Sequence, residues 1–253
     1  MYDCNINLIM NSLPIDLIQY YIFDKLDFII QIRFRQLCKW LNRIDIHNLY
    51  YNIDDEYLDL LSDELLINYP KIRYLNAYNN KKITNVNHMI KLQILDASYY
   101  LCGISNNGIK HLNLIELNAS DNPKITNINH MTNLQTVYAL GNKCGLSDNS
   151  IKDLNLIKLN VTSNRNVTDI NHMTNLQILY ASCTYCGIND NSIKDLNLIK
   201  LYASNNPKIT NVNHMTNLQI LDASYNCGIC DNSIKDLNLI KVYSYNNPKI
   251  TKK

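Results

Sequence analysis

The stretch NLIELNASDNPKITNINHMTNL at residues 113–134 returns, little changed, as NLIKLNVTSNRNVTDINHMTNL at 155–176 and NLIKLYASNNPKITNVNHMTNL at 197–218. Asn-His-Met marks the period, since His88, His130, His172 and His214 stand 42 residues apart. Each period holds two related units. They begin at Lys71, Lys91, Asn113, Asn133, Asn155, Asn175, Asn197, Asn217 and Asn238, so lengths alternate between about 20 and 22 residues. Nine units fill 71–253. A fixed period of this size means a stack of coils in which each unit buries its apolar side against its neighbours.

Each unit reads apolar-x-x-apolar-x-small-x-x-Asn, as in Leu114, Leu117, Ala119 and Asn122, or Leu198, Leu201, Ala203 and Asn206. Counting the first apolar residue as 0, positions +3 and +5 share the inner face of a short strand, and +2 and +4 face outward. Nine parallel strands at about 4.8 Å spacing give a stack of roughly 40 Å. The Asn at +8 stands where the chain turns and can satisfy backbone groups there. This reading predicts a ladder of Asn80, Asn122, Asn142, Asn164, Asn206, Asn226 and Asn247, broken at Tyr100 and Thr184. On the other side, short units pass through Asn-Pro-Lys-Ile-Thr. Long units carry Cys-Gly and then Asp-Asn-Ser-Ile-Lys-Asp-Leu, where Asp or Ser can cap one helical turn.

The pattern resembles the leucine-rich repeat, in its short class of 20 to 22 residues. That resemblance implies an α/β solenoid with its parallel strands on the concave face.

Residues 1–50 do not follow the repeat. Leu13-Pro14-Ile15-Asp16-Leu17, then Ile22-Phe23 and Leu26, then Leu37-Cys38-Lys39-Trp40, read as three short helices with Pro14 at a helix start. The order resembles an F-box. One residue is extra before Leu26 and one is missing between Lys39 and Trp40. The resemblance implies that Leu13, Pro14, Leu17, Ile22, Phe23 and Leu26 dock on a Skp1-type adaptor and, through it, a cullin. So short a helical segment, dense in Leu, Ile and Phe, is in any case expected to need a partner surface. The alternative is that it only closes the end of the solenoid. Between the modules, 51–70 reads as a helical linker and cap, opened by Asp54-Asp55-Glu56, with Leu58, Leu61, Leu65 and Leu66 on one face and ended by Pro70.

Charge separates the same regions. Residues 1–70 carry 5 basic and 11 acidic side chains, and the rest carry 19 and 11, so the parts stand at −6 and +8. No run of 18 apolar residues occurs and the start lacks a secretory n-region, so no membrane span and a cytosolic location with reduced cysteines are expected. Asn and Ile make up roughly 30% of the chain, a bias that reads as AT-rich coding and warns against weighting any single Asn. With near-identical repeats, this composition is similar to the F-box and repeat families of giant DNA viruses, which implies a host cytoplasm.

The four Asn-His-Met histidines cannot share one metal ion, because equivalent positions two coils apart lie about 9.6 Å from each other. They read as turn or packing residues. Cys102, Cys144, Cys186 and Cys227 each precede Gly and form a core ladder. Cys183 and Cys230 fall at different places in their units, which argues against a paired zinc signature. With no nucleophile and base pairing, no Gly-rich phosphate loop, no metal and no cofactor indicated, the chain reads as a binding protein and not an enzyme.

The informative surface is the outward strand face. Its +2 column runs Tyr74, Ile94, Glu116, Thr136, Lys158, Ile178, Lys200, Ile220, Lys241. Its +4 column runs Asn76, Asp96, Asn118, Tyr138, Asn160, Tyr180, Tyr202, Asp222, Tyr243. Tyrosine offers a large contact area at low torsional cost. The candidate ligand-binding set is therefore Tyr138, Lys158, Tyr180, Lys200, Tyr202, Lys241 and Tyr243. The combined resemblances imply a substrate receptor of an SCF-type cullin-RING ubiquitin ligase, the repeats holding a protein target. A binding scaffold unrelated to ubiquitin is the alternative. A single-stranded nucleic-acid binder ranks below both, because the lysines recur only every second coil, with Ile178 and Ile220 between them.

Overall fold

The computed structural model describes residues 61–251. The expectations for Leu13, Pro14, Leu17, Ile22, Phe23 and Leu26, and for the run from Asp54 to Leu58, lie outside the described residues.

Nine three-residue strands pair in parallel, in sequence order, as one sheet. They are β1 Tyr74–Asn76, β2 Ile94–Asp96, β3 Glu116–Asn118, β4 Thr136–Tyr138, β5 Lys158–Asn160, β6 Ile178–Tyr180, β7 Lys200–Tyr202, β8 Ile220–Asp222 and β9 Lys241–Tyr243. The register joins repeat-equivalent residues throughout, so that Leu159 sits between Val137 and Leu179. The architecture is a parallel-strand solenoid, as the repeat period and the leucine-rich-repeat resemblance lead one to expect. The middle residue of β1 to β8 is buried and its two neighbours are half-exposed, because alternate side chains leave opposite faces of a strand. One continuous core runs through the stack, built from Leu at 0 and +3, Ala or Val at +5, and the Ile, Val and Met of the far wall.

The side-chain ladder differs from the expected one. Asn80, Asn122, Asn164, Asn206 and Asn247 are buried, whereas Asn142 and Asn226 are exposed. Long units spend two further residues before the turn, or one in the last and shortest of them, so the equivalent inner place falls on Cys102, Cys144, Cys186 and Cys227. Asn and Cys therefore alternate, and Tyr100 and Thr184 interrupt nothing. Asn122 Nδ2 donates to Ala97 O at 2.7 Å and Ile104 O at 3.1 Å. Cys144 Sγ then donates to Ala119 O at 3.4 Å. Gly follows each of these cysteines because the coils touch there. A Cβ on Gly187 would lie 2.2 Å from Val167 O, and the Gly187 N–H donates to Asn164 O at 2.7 Å.

Among the described residues, the wall opposite the sheet carries five single helical turns: α1 Asp63–Leu66, α2 Asn106–Ile109, α3 Asp148–Ile151, α4 Asp190–Ile193 and α5 Asp231–Ile234. Of the helix read across 51–70, α1 is the described part, and it belongs to this series. The aspartates do not cap their own turns, a place held by Ser62, Ser147, Asn189 and Cys230. They reach forward instead. Asp148 Oδ1 accepts Thr168 N at 2.6 Å and Oδ2 accepts Thr168 Oγ1 at 2.6 Å; Asp63 holds Thr84 and Asp190 holds Thr210 in the same way.

Asn-His-Met is a three-way staple. His172 Nε2 donates back to Ile151 O at 3.2 Å, and His88, His130 and His214 do the same to Leu66, Ile109 and Ile193. Asn171 Nδ2 donates forward to Asn191 O at 2.7 Å. Met173 fills the core between them. The carbonyls that the histidines meet end each short helix and also accept the backbone N–H three residues on, as Ile151 O does from Leu154 N at 3.0 Å, so the imidazole supplies a second donor.

Candidate functional site on the strand face

Two outward columns cross the sheet. Register aligns Lys158, Ile178, Lys200, Ile220 and Lys241 in one column, and Tyr138, Asn160, Tyr180, Tyr202, Asp222 and Tyr243 in the other. All seven candidate residues therefore share one surface.

Four of them form a cluster. Lys158 Nζ donates to Tyr138 Oη at 2.8 Å and lies 4.9 Å from that ring's centroid and 5.8 Å from the Tyr180 ring. Tyr180 and Tyr202 stack with centroids 4.3 Å apart and planes within 3°. The stack follows from tyrosines at the same place in adjacent strands, whose spacing is close to that of aromatic faces. The bond it donates to Tyr138 raises the Lys158 pKa, so its ammonium is charged at neutral pH. Burial pushes the Tyr180 hydroxyl up, keeping it a neutral donor. Lys241 stands 4.6 Å over the ring of Tyr243 in its own strand, outside the cluster. The Lys200 ammonium has no hydrogen-bond, ionic or ring partner among the described residues, while its backbone N–H donates to Gln177 O at 2.9 Å.

The face is polarised in a way that the sequence reading did not use. Glu116 occupies the lysine column and Asp96 the tyrosine column on the other side of Tyr138. Burial pushes the Glu116 carboxyl above its usual range, and Lys158 draws it part of the way back. Asp96 is committed to Ser98 N at 2.9 Å and Asn118 Nδ2 at 2.9 Å. Reading charge along the +2 column was the available signal: Glu116 precedes Lys158, Lys200 and Lys241. The strand face thus has an acidic half over β2 and β3 and a basic, aromatic half from β4 to β9.

Aromatic side chains also gather along the turn after the strands, where Tyr78, Tyr99 and Tyr100 are in ring contact and Lys143 Nζ lies 4.5 Å over Tyr100. Position +7 has positive φ in every coil, from Asp121 at 52° to Gly141 at 90°. Asn, Asp and Gly suit that region, and Tyr99 and Tyr225 are held in it by the coils on either side.

The cysteines divide by environment. Burial pushes Cys102, Cys144 and Cys186 up to about 11 and raises Cys227. Hydrogen bonds from Ser163 and Ser233 lower Cys183 and Cys230. A disulfide reagent added to native protein at pH 8 should modify Cys183 and Cys230 within minutes and leave the ladder cysteines until the protein is denatured. Peptide mapping of the labelled sites checks this, and early labelling of Cys144 or Cys186 would contradict the ladder. Among the described residues no three His, Cys, Asp or Glu side chains converge to hold a metal ion. No helix of the described residues is long and apolar enough to cross a membrane.

No protein-family model matches the sequence, and no curated protein matches it. The class is therefore defined by the fold and face alone: a parallel-strand solenoid with a polarised, tyrosine-rich strand surface.

Proposed function

We propose that the strand face captures a protein ligand and that the chain acts as a substrate receptor of an SCF-type cullin-RING ubiquitin ligase. The observation that carries the binding reading is the Tyr138, Lys158, Tyr180 and Tyr202 cluster. It is a preordered aromatic and cationic surface, half-exposed, on a rigid sheet whose backbone bonds are all made between coils. Preordered tyrosines lose little freedom on binding and supply anchor contacts. The ligase reading rests on the segment from Leu13 to Trp40 that resembles an F-box, with Leu13, Pro14, Leu17, Ile22, Phe23 and Leu26 docking on a Skp1-type adaptor and so on a cullin. In this reading the chain positions a target in the cytoplasm and performs no transfer chemistry itself.

Affinity capture with mass spectrometry, run on three forms of the full chain, tests both modules. The unaltered chain should recover Skp1, cullin and at least one further protein. The Tyr180→Ala, Tyr202→Ala double variant should lose that further protein, with affinity falling by about 2 kcal/mol or more, and keep the adaptor. The Leu13→Ala, Pro14→Ala, Leu17→Ala variant should do the reverse. Target capture undiminished in the double variant moves the site off this face. Partners recovered without Skp1 or cullin favour the scaffold reading over the ligase.

A further inference from the structure

Lys158, Lys200 and Lys241 occupy every second strand of one column, with Ile178 and Ile220 between them, so their Cα positions repeat at about 9.6 Å. None of the three makes a salt bridge with a carboxylate among the described residues: Lys158 feels Glu116 only at longer range and, like Lys241, rests on a tyrosine ring, and the Lys200 side chain is free. The tyrosine column runs beside them along the same axis. Backbone donors and acceptors in the middle of the sheet are consumed by neighbouring strands, so a ligand lying on this face cannot join as another strand. It must be read through side chains.

The repeat distance discriminates between ligand conformations. An extended strand returns a side chain to one side every two residues, about 6.8 Å, well short of the lysine interval. An α-helix returns one near every seven residues, about 10.5 Å, and drifts by about 1.8 Å over the two intervals. A polyproline II segment has three residues per turn at about 3.1 Å each, or about 9.3 Å, and stays within about 0.6 Å over the same span. Its carbonyls are also free of internal hydrogen bonds and available to tyrosine hydroxyls and ammonium groups, and aromatic-lined surfaces suit its rings.

Building on the proposal that this face binds a protein, we propose that its ligand is a polyproline II segment carrying Asp or Glu at every third position. It lies along the solenoid axis over β5 to β9, its acidic residues above Lys158, Lys200 and Lys241 and its intervening residues against Tyr180, Tyr202 and Tyr243. Glu116 and Asp96 repel a further acidic residue and set the limit at Tyr138. Asp222, which accepts Ser224 N at 3.0 Å, lies in the tyrosine column and keeps the ligand's carboxylates over the lysines.

The test uses the full chain and fluorescein-labelled peptides read by anisotropy. One peptide is rich in proline with glutamates at i, i+3 and i+6, a second is its isomer with glutamates at i, i+2 and i+4, and a third is a helical peptide with glutamates at i, i+7 and i+14. An oligothymidylate is the fourth probe. The first peptide should bind about tenfold more tightly than its isomer, and Lys200→Gln, at a side chain without partners, should abolish the preference while circular dichroism stays unchanged. Equal affinity for the isomers, or tighter binding of the helix or the oligothymidylate, overturns the proposal. The outcome is separable from the broader reading: if the captured protein needs Tyr180 and Tyr202 yet is not displaced by the first peptide, the ligand class fails and the protein-binding face stands.

Discussion

Leu159→Asp is expected to cost on the order of 4 kcal/mol or more and to unfold much of the solenoid. Leu159 is the middle residue of β5, fully buried and in register between Val137 and Leu179. A charge left there without a partner must lose its hydration or drag water into the core. The effect spreads because each coil is stabilised by its two neighbours, so failure at the fifth of nine strands divides the array. Lys158→Asp, one residue earlier and facing outward, gives up a bond to Tyr138 and should cost about 1 kcal/mol or less. Urea unfolding of both variants decides the matter. Comparable losses would mean that inward and outward positions have been exchanged.

The second large effect is expected at Asn164. Its amide makes four bonds to backbone: Nδ2 donates to Ala139 O at 2.9 Å and Leu146 O at 3.2 Å, and Oδ1 accepts Asn166 N at 2.8 Å and Val167 N at 3.3 Å. Asn164→Ala leaves the Ala139 and Leu146 carbonyls and the Val167 N–H without these partners in the buried interior, at a cost of about 3 kcal/mol. Asn164→Cys should recover part of the loss, since Cys144 and Cys186 hold the corresponding place with a single Sγ bond each. Asn142→Ala should be silent within about 0.5 kcal/mol, because Asn142 is exposed. Equal destabilisation by Asn142→Ala and Asn164→Ala would restore the all-asparagine ladder and exclude the alternating one.

That ladder shows where reading by spacing reached its limit. Counting +8 from the strand is sound while the units have equal length, and it located Asn80, Asn122, Asn164, Asn206 and Asn247 inside. It failed in the long units because the backbone there completes a wider turn before entering the core, and the contact that defines the place is with the preceding coil. The cysteines were assigned to the core from their position before Gly, but that they replace asparagine became evident only from the carbonyls they meet. The staple of Asn171, His172 and Met173 was likewise invisible: its partners lie in the coils before and after, about 20 residues away in sequence.

For the candidate site, the columns of residues were legible and their chemistry was not. Strand alternation and an unbroken register suffice to place Tyr138, Lys158, Tyr180, Lys200, Tyr202, Lys241 and Tyr243 on one surface. The stack of Tyr180 on Tyr202 and the clasp of Lys158 by Tyr138 depend on side-chain rotamers and on which neighbour stands diagonally across the sheet. A linear pattern carries no such information.

The sequence by itself therefore determined the period, the nine parallel strands, their register and the division into inner and outer faces. Each of these follows from local alternation repeated at nearly constant length. The tertiary structure alone decided which side chain closes each coil, what the repeated histidines and aspartates hold, and how charge is divided along the strand face. The reason is physical: those properties belong to hydrogen bonds and ring contacts made between coils, and such a contact exists only once the stack has formed.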